Sequence, residues 1–145
     1  MGTFSQEAIQ IAGPCPEAII KEAEEALRVT FPQQYRELLT NCGAGLFRAV
    51  EIYGLFDEGT NDPPTWQNVV AVTKQLREWG QVGAERFEYV AISDDGTGNY
   101  FFLDTTVSPK TKIIAVGPGV EITVSYDLAN FVTVGPSVLT RNGEV

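Results

Sequence analysis

Between residues 86 and 104 two runs rich in aromatic and β-branched side chains, RFEYVAI and NYFFLD, flank the six residues SDDGTG. Both runs are apolar almost without alternation, the pattern of strands covered on both faces. Gly96 and Gly98 suit the positive φ of a tight reversal, and Asp94 and Asp95 suit Asx-type bonding to the turn backbone. The stretch predicts two adjacent antiparallel strands at the centre of a sheet, whose cover must come from elsewhere in the chain.

The N-terminal half supplies helices. PEAIIKEAEEALRV (16–29) carries Ile19, Ile20, Ala23, Ala26 and Leu27 at helical spacing, with Glu22, Glu24 and Glu25 turned away. Pro16 suits the first helical position and Glu17 the positive end of the dipole. TFPQQYRELLTNCGAG (30–45) predicts a second helix with Tyr35, Leu38, Leu39 and Cys42 on one face, broken at Gly43 and Gly45. AVEIYGLF (49–56) reads as a short strand and DEGTNDPP as a loop. A third helix, WQNVVAVTKQLREWG, is expected after a Thr65 cap, with Val69, Val72, Leu76 and Trp79 facing the core. TKIIAVGPGVEITVSY (111–126) adds two strands; Val120, Ile122 and Val124 alternate, as on a strand with one covered face. Residues 126–134 suit a short helix capped by Ser125, while the first dozen residues suit a loose or partly docked arm. Helices first, then strands in short connections, predict an α+β domain with a largely antiparallel central β-sheet flanked by helices. The expected organisation is one domain over 1–145, with its core at about 16–134, an arm at 1–15 and a tail at 135–145.

Charge and residue usage then narrow function. The chain is 145 residues long with a net charge of -9, which disfavours nucleic acid because phosphate binding needs a basic surface. It has no histidine, so the usual Ser-His-Asp and Cys-His devices and most zinc sites are excluded. The two cysteines, Cys15 and Cys42, form no CxxC pair and suit a reduced, cytoplasmic protein, with a single disulfide left open. No segment approaches the length of a membrane span.

The central hairpin nevertheless invites a site. As an EF-hand loop with Gly98 at position 6, it offers Ser93, Asp95 and Thr97 before the glycine and Asp104 at position 12. Only half of that pattern is met, and a strand follows where a helix is required. Asp104 lies five residues beyond Asn99, roughly 17 Å along a strand, too far to pair with Asp94 or Asp95 as catalytic carboxylates. GTGNYF and GAGLFR lack the third glycine of a phosphate loop, and no helix follows either. What remains is a binding surface. Residues 1–66 hold ten acids and four bases, with Glu51, Asp57, Glu58 and Asp62 close in sequence. Candidate partner contacts are these four, Trp66 at a helix start, and Asp94 and Asp95 at the hairpin tip. Packing is the competing role for Trp66, and an ordinary solvated face the competing role for the acids.

In order and spacing the pieces FPQQYRELLTNCGAG, IYGL, TWQNVV, AISDDGTGNYFFLD and SYDLANFV resemble the SUKH superfamily. That family runs from an acidic amphipathic helix to a Pro-x-x-Tyr helix with a glycine-rich break, a Tyr-Gly strand and a helix near tryptophan. An Asp-Gly-x-Gly hairpin ending in Asp and a short Phe-containing helix follow. Asn41-Cys42-Gly43 stands where Asn-Gly-Gly is frequent, and Ser125-Tyr126 where Ser-Phe is frequent. The resemblance implies a non-enzymatic domain that works by binding, without cofactor or metal. Its bacterial members are immunity proteins neutralising cognate toxins, often nucleases of polymorphic toxin systems, and its fungal members regulate cell-wall synthesis. The expectation is therefore a cytoplasmic immunity protein, monomer or weak homodimer, with a basic toxin as partner and no nucleic acid or membrane. A regulatory or scaffolding interaction module is the alternative.

Overall fold

The computed structural model describes residues 3–56 and 66–136. In chain order these form α1 (Thr3–Glu7), β1 (Ala8–Ile11), α2 (Glu17–Leu27), α3 (Gln33–Cys42), β2 (Gly45–Phe47) and β3 (Glu51–Ile52). They continue through α4 (Val69–Trp79), β4 (Tyr89–Asp94), β5 (Tyr100–Asp104), β6 (Ile113–Gly117), β7 (Val120–Ser125) and α5 (Leu128–Val134). The architecture is α+β with antiparallel pairing, as the order of helices and strands predicts, but the strands divide between two sheets. One has the order β1-β2-β3 and the other β4-β5-β6-β7. They are joined where the Tyr53 amide donates to the Ile92 carbonyl at 2.8 Å and the Ser93 hydroxyl to the Glu51 carbonyl at 2.7 Å.

The hairpin is where the sequence places it. Tyr89 pairs with Asp104 and Asp94 with Tyr100, so Asp104 sits at the far end from the tip. Alternate side chains enter two cores, as strands covered on both faces require. Val90, Ile92, Phe101 and Leu103 join the main core with Ile20, Leu27, Tyr35, Leu38, Phe47 and Phe131. Tyr89, Ala91 and Phe102 face a smaller core with Leu76, Ala84, Ile114 and Val116. Cys15 and Cys42 are both buried as free thiols, and burial pushes the Cys42 thiol up to about 11.

Several local expectations are corrected. Residues 3–11 are docked: Phe4 is buried in the main core, α1 contacts α3 and α5, and β1 pairs with β2. Such short strands carry no readable period. The strand expected over 49–56 shrinks to β3, after which Gly54 makes one isolated bridge to Asn68. Thr65 lies outside the described residues; α4 begins after it, capped by Asn68, whose side chain accepts from the Val70 and Ala71 amides. Asp127, not Ser125, caps α5, accepting from the Ala129 amide. On β7 only Val124 of the alternating trio is buried; Val120 is 40% and Ile122 37% exposed, because β7 is the edge strand and only its end meets α5. Glu24 does not face solvent. Its carboxylate accepts from the Phe31 amide at 2.8 Å and pairs with Arg36 at 3.1 Å, fastening α2 to α3.

Trp79 is the largest departure: it is 68% exposed. The buried residues of α4 are Val69, Thr73 and Leu76. At about 100° per residue Trp79 lies roughly 80° round from Val69, on the flank of that stripe in the last turn. Among the described residues no helix is long and apolar enough to cross a membrane.

Candidate functional site

The hairpin tip is built by its own carboxylates. Asp95 Oδ1 accepts from the Thr97 amide at 2.8 Å, the Thr97 hydroxyl at 2.7 Å and the Asn99 amide at 3.3 Å. Its Oδ2 accepts from the Asn99 side chain at 2.9 Å. Slight burial works against the ionised carboxyl, but these donors outweigh it and hold Asp95 down at about 2. Gly96 and Gly98 turn the chain at φ 80° and 100°, the conformations expected of them. Asp95 is a turn former, as its position predicts.

Asp94 reaches a different set of residues. Its Oδ1 accepts from the Gly96 amide at 3.0 Å, while Oδ2 accepts from the Tyr53 hydroxyl at 2.5 Å. Tyr53 is itself held by α3, since the buried Tyr35 hydroxyl donates to the Tyr53 carbonyl at 2.7 Å. Burial, and then the bond to Asp94, put the Tyr53 phenol well above its usual range, so it is no acid or base near neutral pH. Glu51 is half-buried nearby; burial first, and the Asp94 charge second, raise its carboxyl.

Beside these carboxylates opens a pocket of about 340 Å³ between α4 and the hairpin. Tyr53, Asp94 and Tyr100 line it from outside α4, and Ala71, Val72, Gln75, Leu76 and Trp79 line it from α4. Gln67 also lines it.

The structure thus brings Glu51 and Asp94 together, with Asp95 adjacent at the tip. Trp66 is half-buried ahead of α4 and does not line the pocket. Asp57, Glu58 and Asp62 lie outside the described residues. Trp79, which the sequence assigns to the core, lines the pocket together with Tyr53 and Tyr100. The one signal for Trp79 is its place in the last turn, immediately before the Gly80 cap.

The surroundings offer little machinery for catalysis. Asp104 is at the opposite end of the hairpin, its carboxylate accepting from the Thr106 amide at 2.9 Å and the Thr106 hydroxyl at 2.6 Å. Among the described residues no group of three His, Cys, Asp or Glu side chains is arranged to hold a metal ion. What the pocket presents is hydrogen-bond acceptors beside aromatic faces, a combination suited to contact with another molecule.

A sequence profile of the family SUKH_6, described as SMI1-KNR4 cell-wall, matches residues 17–132, from the first turn of α2 into α5. No curated protein matches the chain. With the profile covering β2 to β7, the hairpin included, and with the α+β architecture in place, the chain belongs to the SUKH superfamily, in its SMI1-KNR4 family.

Proposed function

We propose that this chain is an immunity protein of a polymorphic toxin system, which neutralises a cognate bacterial toxin in the cytoplasm by stoichiometric binding without chemistry of its own. The observation that carries the proposal is an open pocket lined by the Asp94 carboxylate and the exposed Trp79, with Glu51 close enough to feel the Asp94 charge. Family membership supports protein interaction in general, and the net charge of -9 supports a basic partner. A nuclease toxin is basic where it holds nucleic acid, so an acidic inhibitor can occupy that face and steer its own association. The proposed contact set is Glu51, Asp94 and Asp95, extended by Trp66 and by Asp57, Glu58 and Asp62. The domain acts as one unit over 1–145, as a monomer or weak homodimer, with no cofactor.

Co-expression with the toxin encoded immediately upstream is the test: growth is restored and the two proteins co-purify at equal stoichiometry, with association slowing as salt rises. Growth arrest despite a soluble, folded chain would refute the proposal. A second reading, a regulatory interaction module, is favoured by the cell-wall description of the matching family. Native pull-down of cell-wall synthesis proteins, with no protection against any neighbouring toxin, is its distinguishing result.

A further inference from the structure

We infer that the pocket between α4 and the β4–β5 hairpin takes an arginine side chain of the protein partner. The inference deepens the partner-binding reading and rests on it for the source of that arginine.

The cavity of about 340 Å³ is lined both by groups that can hold a cation and by apolar side chains. Asp94 uses one lone pair of each oxygen, on the Gly96 amide and the Tyr53 hydroxyl, which leaves a second on each for a forked donor. The Trp79 ring, 68% exposed, and the half-buried Tyr100 ring flank the cavity, and both present electron-rich faces on which a guanidinium stacks. Gln75 donates through Nε2 to Glu78 at 3.4 Å, so its carbonyl oxygen is the atom left to accept. Val72 and Leu76, which also line it, suit an aliphatic stem.

Other occupants fit less well. Glu51 adds a second negative charge nearby, and none of the lining residues is basic. An anion is therefore repelled, and an apolar side chain would strip water from Asp94 without replacing its bonds. Lysine supplies the charge but neither the planar face nor the fork; arginine supplies all three.

The experiment titrates N-acetyl-arginine methylamide into the full ¹⁵N-labelled chain, with the lysine and citrulline counterparts run in parallel. The Trp79 indole signal, identified by its loss in Trp79→Ala, and the amides of Asp94 and Tyr100 shift saturably with the arginine compound. Binding falls about tenfold with citrulline and in Asp94→Asn, the loss expected of a charged hydrogen-bonding partner. Trp79 is exposed, and Asn at 94 keeps its oxygen for the Gly96 amide while its NH2 can donate to the Tyr53 hydroxyl oxygen, so both variants retain the folded spectrum. Absence of a shift at Trp79, or equal shifts with citrulline or with lysine, overturns the inference. In the toxin assay, protection by wild type and undiminished protection by both variants overturns it too, while leaving the proposed function intact. Saturable arginine binding by a chain that protects against no toxin has the opposite meaning: the pocket's specificity stands and the toxin reading fails.

Discussion

The Tyr53 hydroxyl donates to the Asp94 carboxylate at 2.5 Å, and so the residue after β3 grips the tip of the central hairpin. Because the Tyr53 carbonyl simultaneously accepts from Tyr35, one tyrosine links α3, β3 and β4. Three stretches of sequence that look independent, Pro-x-x-Tyr, Tyr-Gly and Asp-Asp-Gly, are thereby wired together. Replacing Tyr53 with Phe removes the hydroxyl and keeps the packing. We expect a loss of about 1 kcal/mol, since Asp94 is exposed and regains water. Urea denaturation of Tyr53→Phe, Asp94→Ala and the double variant measures the coupling directly; additive losses would show that the pair contributes nothing.

Gly54 is irreplaceable for a steric reason. A methyl group there would overlap the backbone carbonyl of Gly43, the cap of α3, whose oxygen already accepts from the Leu55 amide at 2.9 Å. Backbone atoms cannot give way as a flexible side chain can, so Gly54→Ala is expected to cost about 3 kcal/mol or more. Gly96→Ala is the comparison. Nothing crowds that position, and only its φ of 80° resists a side chain, at roughly 1–2 kcal/mol. Equal melting temperatures for the two variants would contradict this ordering.

Glu24 ties α2 to the segment that follows, accepting from the Phe31 amide ahead of α3 and pairing with Arg36 within it. Glu24→Ala leaves the Phe31 amide unpaired and is expected to lose about 2–3 kcal/mol. Glu24→Gln keeps an oxygen for that amide and should lose about half as much. Thermal unfolding of both variants checks the order; a tolerated alanine would mean that water replaces the carboxylate without cost.

Acid should release the hairpin tip through Asp95. Its carboxyl sits at about 2 in the fold against 3.8 without the turn's donors. The folded value is the lower one, so the stabilisation is complete above about pH 4 and is lost as pH falls towards 2. Asp95→Asn removes the ionisable group but keeps one acceptor. The stability gap between wild type and this variant is expected to be about 1 kcal/mol near neutrality, because the site is exposed, and to close below about pH 4. A gap that persists at about pH 2 would rule out the charge as its source.

How far the sequence can be read depends on how local each cause is. The hairpin, α2, α3 and the α+β order were legible because periodicity, proline and glycine act within a few residues. The same local chemistry correctly made Asp95 a turn former and separated Asp104 from the tip. Glu51 and Asp94 were visible only as members of an acidic surface, with nothing to say that they meet.

What tertiary structure alone decided is where distant backbone lies. The sheet β1-β2-β3 pairs Ala8 with Phe47 and Gly45 with Ile52, contacts between strands too short to carry a period. Glu24 reads as solvent-facing on an isolated helix and becomes a link only when Phe31 and Arg36 arrive beside it. Trp79 reads as core because it is apolar at helical spacing, yet burial requires close packing against an opposing surface, and Trp79 faces an open pocket instead. Sequence by itself determined the elements, the turn and the acidic character; packing determined which side chains were left over to face a partner. Local conformation follows from short-range sterics and hydrogen bonding, whereas exposure is a property of what the rest of the chain covers.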